Sequence, residues 1–263
     1  PKRDWSSDVC SSDLVGGNLQ DHLDAAVLLF CKVGGVTYDR ANKLWSLYKY
    51  WKDKTGPGTS PIAESGGFLS TQKGLAAPDI QLHFLPVMVV DHGRTRLKKN
   101  GYSLHVCTLR PESTGTIRLA SKDPTQAPLI DANYLAERKD LDTLIAGVKM
   151  GREIFAQAGL DPYRADEYAP GAAVKTDAEI EQWIRAKAET IYHPVGTCKM
   201  GPASDRMAVV DSECRVHGLE GLRVVDASVM PTLVGGNTNA PTIMIAEKIG
   251  ALIQKRADFQ KSI

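Results

Sequence analysis

Apolar and polar positions change rhythm several times along the chain. Leu44, Leu47, Tyr48 and Trp51 recur at a spacing of three and four, which predicts an amphipathic helix within Arg40–Trp51, its aromatics turned toward a core. From Ile80 to Val90 the run is apolar and β-branched, with Pro86 near its middle, the mark of an edge strand or a bulge. Tyr102–Leu109 alternates, Tyr102, Leu104, Val106 and Thr108 against Ser103, His105, Cys107 and Leu109, and Thr116–Ala120 alternates too. These segments predict an antiparallel sheet with one face covered. Helical spacing returns over Asp140–Ala156, with Leu141, Leu144, Ile145, Val148 and Ile154 on one side. Thr176–Ala188 predicts another helix, opened by a capping box of Thr176 and Glu179. A strand is expected at Met207–Val210 and a buried one at Leu222–Val225, closed by Asp226. The paired glycines Gly235 and Gly236 and the run Asn237-Thr238-Asn239 follow. Then comes a helix with Thr242, Ile245, Ala246, Ile249, Leu252 and Ile253 in register. Pro241 falls in its first turn, where a missing N–H costs nothing. A strand, a glycine loop and a helix N-terminus suit an anion or an electron-rich ring, and they equally suit plain α/β packing.

Composition narrows the reading. A chain that is 43% hydrophobic and 24% charged can bury one large or two small cores. A net charge of +1 points away from nucleic acid, and no apolar run reaches the ~18 residues that a membrane-spanning helix needs. Peripheral membrane attachment stays open. Five scattered cysteines without CxxC or CxxH spacing argue against a metal site and fit free thiols in a reducing cytosol. Residues 1–14, PKRDWSSDVCSSDL, are polar, repetitive and without the apolar centre of a signal peptide, and read as a non-native leader or a native disordered tail. Thr55–Gly67 is a glycine- and proline-rich connection.

Of six histidines, His92 and His217 sit in polar, glycine-adjacent contexts expected at the surface, while His83 and His105 are expected as satisfied sheet residues. His22 follows Asp21 in a turn and is open to either reading. His193 differs. Pro194 forces it out of helical geometry, and the stretch ETIYHPVGTCKMG around it leaves an imidazole projecting from a constrained backbone. Imidazole is the natural general base near neutral pH. Neither GxSxG, HExxH nor GxGxxG occurs, so the chain shows no nucleophile elbow, zinc helix or dinucleotide fingerprint.

The blocks VGGNLQDHL, PDIQLHFLP, LRPESTGTIRLASKDP, YHPVGTCKMG and HGLEGLRVVDASVMPTLVGGNTNAPTIMIAEKIGALI, in this order, closely resemble the glucose–methanol–choline (GMC) oxidoreductases, in the branch of FAD-dependent alcohol and choline dehydrogenases. The resemblance runs from Val15 to about Ile253. It implies a mixed α/β fold: part of a Rossmann-like FAD-binding domain, at residues 15–24 and 190–263, and a substrate domain with an antiparallel sheet and flanking helices at 25–189. It implies FAD as cofactor, no metal, and oxidation of a primary alcohol to its aldehyde by hydride transfer to flavin N5. His193 matches the family's active-site histidine, and Asn237 the second position, where the family has His or Asn to bond the alcohol oxygen. Asp226 and Ala227 match the turn that approaches the flavin's ribityl–pyrophosphate. Asn239, Pro241 and Thr242 match the helix start that faces the isoalloxazine pyrimidine edge, and Asn18 and Asp21 match a block with a structural role.

The family's N-terminal GxGxxG unit has no counterpart in this chain. The 263 residues therefore read as a C-terminal fragment expected to bind FAD poorly and to be inactive alone. Choline is the alternative substrate, and a cofactor-free binding or structural module is the alternative of another class. The expected partner is a small alcohol, the electron acceptor is open, and the expected place is the cytoplasm, with attachment to the inner membrane left open.

Overall fold

The computed structural model describes residues 14–38, 42–95, 97 and 99–261. Its elements are, in chain order, β1 (Leu23–Cys31), α1 (Lys43–Asp53), β2 (Ser65–Leu69), β3 (Ile80–Leu85), β4 (Gly101–Thr108), β5 (Thr116–Arg118), β6 (Leu129–Asp131), α2 (Arg138–Phe155), β7 (Arg164–Ala169), α3 (Asp177–Lys187), β8 (Glu189–Thr190) and α4 (Asn239–Lys261). They form two compact units. One holds the described parts of Pro1–His22, Arg110–Glu137 and Tyr192–Ile263, the other Leu23–Leu109 and Arg138–Ile191. Most of residues 1–14 lies outside the described residues. Leu14 is described, and it packs against the core of the first unit rather than standing apart with the leader.

The second unit is a sheet in the order β2-β3-β4-β1-β7, with β8 pairing the start of β1, and every pairing is antiparallel. β4 lies inside it, with Val106 opposite Ala25 on one side and Leu82 on the other. Both its faces are buried, Tyr102, Leu104 and Val106 on one and Ser103 and Cys107 on the other, so the one covered face expected from the alternation is two. Polar Ser103 satisfies itself by donating to the Val87 carbonyl at 2.6 Å. β3 is also internal and stops at Leu85; Pro86, which has no N–H to give a ladder, follows the strand's end instead of marking an edge.

α2 covers one face. Leu141, Leu144, Ile145 and Val148 are buried on it. Gly147 lets it come close: a Cβ there would lie 2.4 Å from Val106 Cγ1. Arg152 of α2 clamps Glu167 of β7 through two nitrogens, at 3.0 and 2.6 Å. α3 begins as expected, with Thr176 and Glu179 forming a reciprocal capping box. Near the C-terminal end of α2 an apolar cavity of about 430 Å³ opens against Leu82, Phe84 and Leu104. Gly67 of β2 lines it, and an added Cβ there would meet nothing.

The expected core role of the α1 aromatics is overturned. No residue of α1 is buried, because the turn Pro57–Thr59 is its neighbour and covers too little of it.

On the other side of the sheet, His105 is bonded through Nδ1 to the buried carboxylate of Asp24. Burial works against its charged form, but the Asp24 charge and hydrogen bond, with Glu189 adding to them, outweigh burial and raise its pKa. Among the described residues His105 Nε2 and Asp24 Oδ1 are buried without a hydrogen-bond partner, so the expectation of a satisfied sheet histidine holds there for one ring nitrogen only. Because the folded pKa is raised, this pair's contribution to stability is complete below the unfolded value of about 6.5 and is lost as pH rises through the folded pKa. Thermal unfolding from pH 5 to 9 should show this decline, and Asp24→Asn should flatten it; an unchanged slope would remove the pair from the account.

The first unit has less regular structure. β5 and β6 form a two-stranded antiparallel sheet. A core cluster gathers Val209, Val210, Cys214, Val216, Val229 and Ile249, with Ile245 and Leu252 of α4 packed on it. A smaller cluster holds Val195, Met230 and Leu233. The strands expected at Met207–Val210 and Leu222–Val225 are reduced to bridges, Val210 with Met200 and Val216, and Arg223 with Arg215. Leu222 is exposed, so the segment is not the buried strand its composition suggests; a β-branched run becomes a strand only where a neighbour accepts its amides along its whole length. α4 starts at Asn239, and Ile249 faces the core, while Ile253 on the predicted apolar side is largely exposed.

Candidate functional site

Local chain geometry sets the place of His193. Tyr192 before it is left-handed, Pro194 after it excludes helix, and Gly196 has φ +92. Val195 exchanges two backbone hydrogen bonds with Gln20, at 3.0 and 2.9 Å. Gly196 sits so close to residue 18 that a Cβ would be 2.4 Å from the Asn18 carbonyl oxygen. The segment carrying His193 is therefore pinned against the segment Asn18–His22.

That second segment supplies the side chains around the imidazole. The His193 amide donates to Asp21 Oδ1 at 2.9 Å, and Tyr134 donates its hydroxyl to the other Asp21 oxygen. His22 is fully buried, and its Nδ1 lies 2.9 Å from His193 Nδ1. The two rings meet edge to face, centroids 5.1 Å apart at 81°. Burial pushes the His193 pKa down, and the Asp21 carboxylate pulls back only in part, so the ring is uncharged near neutral pH.

The same segment reaches toward the glycine loop. Gln20 donates to Asn18 Oδ1 at 2.9 Å and accepts from the Leu233 amide at 3.0 Å. Asn18 donates to the carbonyls of Gly196 and Pro231, at 3.3 and 3.4 Å. Val195 and Leu233 share a cluster, so the chain around His193 and the chain leading to Asn237 rest on one frame. Asn237 is exposed beyond the turn closed by the Gly236 amide on the Val234 carbonyl, 2.9 Å. Arg110 lies against this loop: a Cβ on Gly235 would come within 2.8 Å of its guanidinium.

The remaining predicted residues fall at two chain turns. Asp226 caps the short 3₁₀ turn Ala227–Val229, accepting from the Ser228 amide at 2.8 Å, so its carboxylate serves its own backbone. Asn239 and Ala240 are exposed at the start of α4, where first-turn amides have no partner within the helix and the dipole is positive. Thr238 is the true cap: its carbonyl accepts the Thr242 amide at 3.0 Å and the Thr242 hydroxyl at 2.7 Å. The Thr242 hydroxyl proton is thus committed to the helix.

Gln20 is the member that the sequence did not single out, and His22, which the sequence left open, joins the site. The signal was present: three polar residues, Gln20, Asp21 and His22, stand between Leu19 and Leu23, and buried polar groups need partners. His92 and His217, expected at the surface, are half-buried; the His92 amide donates to Glu189, and His217 Nε2 lies 3.1 Å from the Gly201 carbonyl.

A family model for GMC oxidoreductases matches residues 111–246. The chain belongs to the GMC oxidoreductase family. It is 48% identical to the alcohol dehydrogenase [acceptor] of Pseudomonas putida, over 93% of this chain and 45% of that one. It is 46% identical to the mitochondrial choline dehydrogenase of Homo sapiens, over 94% of this chain and 42% of that one. A crystal structure of formate oxidase superposes with a TM-score of 0.81 at 25% identity, covering 92% of this chain and 48% of the other. The chain thus spans less than half the length of these relatives. The mixed α/β fold with antiparallel sheets agrees with its neighbours, which are flavoproteins using FAD.

Proposed function

We propose that this chain carries the proton-handling side of an FAD-dependent oxidoreductase that converts a primary alcohol to its aldehyde, with His193 as acid–base group and Asn237 as the second hydrogen-bonding group on the alcohol oxygen. The observation that carries the reading is the 2.9 Å contact between His22 and His193, which gives a half-buried imidazole a defined ring plane. At this distance one Nδ1 proton can lie between the two rings. With His193 as donor, its Nε2 keeps the lone pair that accepts the alcohol proton. The resulting imidazolium then holds the oxygen on which negative charge had grown, while Asn237, whose amide does not titrate, orients it.

The residues present fit the flavin end of FAD. The turn at Asp226 and Ala227 and the positive end of α4 would hold it, through the Asn239 and Ala240 amides and the helix dipole, while Pro241, which has no N–H, and Thr242, whose amide and hydroxyl serve the Thr238 carbonyl, would line it. When bound, FAD supplies the hydride acceptor. The chain has no GxGxxG, so these residues offer no cradle for the ADP half.

Choline is the second reading, favoured by the human relative. A quaternary ammonium needs a carboxylate or an aromatic cage, and the buried carboxylate of the sheet, Asp24, is already bonded to His105. The apolar tone of Phe84, Leu85 and Val87 favours an aliphatic or aromatic alcohol. His193 and Asn237 stand intact, which weighs against a cofactor-free module. The test joins these residues to the remaining length of the Pseudomonas putida relative and compares alcohol-dependent reduction of an artificial acceptor. A medium-chain alkanol should give the higher kcat/KM; higher values for choline would reverse the substrate, and no turnover on either would end the proposal.

A further inference from the structure

The apolar cavity near the end of α2 has no part in the acid–base chemistry assigned to His193. Three neighbouring strands form one wall in register, Ser65 of β2 beside Phe84 of β3 beside Leu104 of β4, with Gly67 beside Leu82 in a parallel row. This is the face that α2 covers, where Gly151 approaches Leu104; Asp24 and His105 belong to the other face. Phe155, the last residue of α2, stands on the opposite wall. Phe84 and Phe155 meet edge to face, centroids 6.4 Å apart at 76°, and Tyr102 packs on Phe155 at 5.1 Å and 74°. Leu82, Leu104 and Phe155 are buried, so the walls are fixed by packing among themselves.

Size and chemistry set what such a cavity takes. Its volume of about 430 Å³ falls within the ~300–1,000 Å³ of small-molecule pockets. Among the described residues that line it none is charged, and Ser65, exposed on the edge strand, supplies the one side-chain hydroxyl. An ordered water needs about two to four polar partners, which these walls do not offer. A charged ligand would give up its hydration without a counter-charge. A neutral ring system suits the space, because its edges and faces pair with those of Phe84 and Phe155. The Ser65 hydroxyl, donor and acceptor at once, suits one hydrogen-bonding group on that ring.

We propose that this cavity is a binding site for a small neutral aromatic molecule that carries a single hydroxyl or carbonyl group, its rings between Phe84, Leu104 and Phe155 and its polar group at Ser65. The site lies wholly within the second unit and does not depend on the alcohol reading.

The test is calorimetric titration of the 263-residue chain with 2-naphthol, and with the anion 2-naphthoate as its charged counterpart. 2-Naphthol should bind once per chain, at least about tenfold more tightly than 2-naphthoate. Gly67→Leu puts a side chain where an added Cβ meets nothing, so the variant should fold and its affinity for 2-naphthol should drop at least about tenfold. Phe84→Leu should cut the preference for 2-naphthol over its saturated analogue decahydro-2-naphthol by about three- to tenfold. Leu119→Glu, at a residue 83% exposed in the other unit, should change nothing. His193→Gln should also leave 2-naphthol binding as it is. Loss of binding in His193→Gln, with Gly67→Leu binding normally, assigns the probe to the alcohol site and overturns the proposal. Absence of binding by the parent chain overturns it, and so does undiminished binding by a Gly67→Leu variant that circular dichroism shows to be folded. Should Gly67→Leu not fold, the Phe84→Leu comparison decides: an unaltered preference overturns the site. In the form extended by the remaining length of the Pseudomonas putida relative, 2-naphthol should still bind, and failure there overturns the site for the whole enzyme.

Discussion

Replacing His193 with Gln, in the full-length form carrying these residues, is expected to lower kcat for alcohol oxidation by about 10²–10⁴-fold, the usual range for losing a positioned general base. The fold should survive, because His193 enters the frame through its amide, which still reaches Asp21. The pH profile separates proton transfer from mere packing. Burial holds the His193 pKa below its ordinary 6.5, with Asp21 opposing in part. The unaltered enzyme should therefore lose activity only as pH falls below 6.5, when the ring gains its proton, and should run level through neutrality. The Gln variant should have lower activity and no such acid limb. A variant that kept the limb would place the titrating group elsewhere, and one that kept kcat would remove His193 from the chemistry.

Gly196→Ala is the substitution expected to damage fold and site together. Its φ of +92 disfavours any Cβ, and that Cβ would lie 2.4 Å from the Asn18 carbonyl oxygen and 2.8 Å from the Asn18 side-chain nitrogen. Neither the strained backbone nor the crowded carbonyl can give way without parting residues 18–20 from 195–196. Strain and overpacking together should cost about 2–4 kcal/mol of stability. Since the Val195–Gln20 hydrogen bonds align His22 with His193, activity should fall in the molecules that remain folded. Chemical denaturation measures the first effect and steady-state kinetics the second; an alanine variant within 0.5 kcal/mol of the parent (on the order of an ordinary surface change) would refute the pinning of these segments.

Much of the second unit was legible beforehand. The alternation in Tyr102–Leu109, the helical spacing over Asp140–Ala156 and the Thr176–Glu179 box all correspond to elements of the structure. Each depends on residues close together in the chain. Errors arose where the outcome depends on a distant neighbour. Pro86 lies past the end of an internal strand, β4 is covered twice, and Leu222–Val225 meets Cys214–Val216 through a single bridge, too short a pairing to make it a strand. The aromatics of α1 repeat as core residues do, yet none of them is buried, since periodicity shows that a helix has an apolar side and not what faces it.

The candidate site divides along the same line. The sequence by itself singled out His193, because Pro194 and Gly196 constrain its backbone through purely local sterics, and the ordered blocks carried the family. Only the tertiary structure brought His22 to the imidazole, set Asp21 under the His193 amide, and tied both through Gln20 to the loop before Asn237. His22 and His193 are 171 positions apart. A contact across that separation is decided by the packing of the segments that carry the two rings, and no local spacing records it.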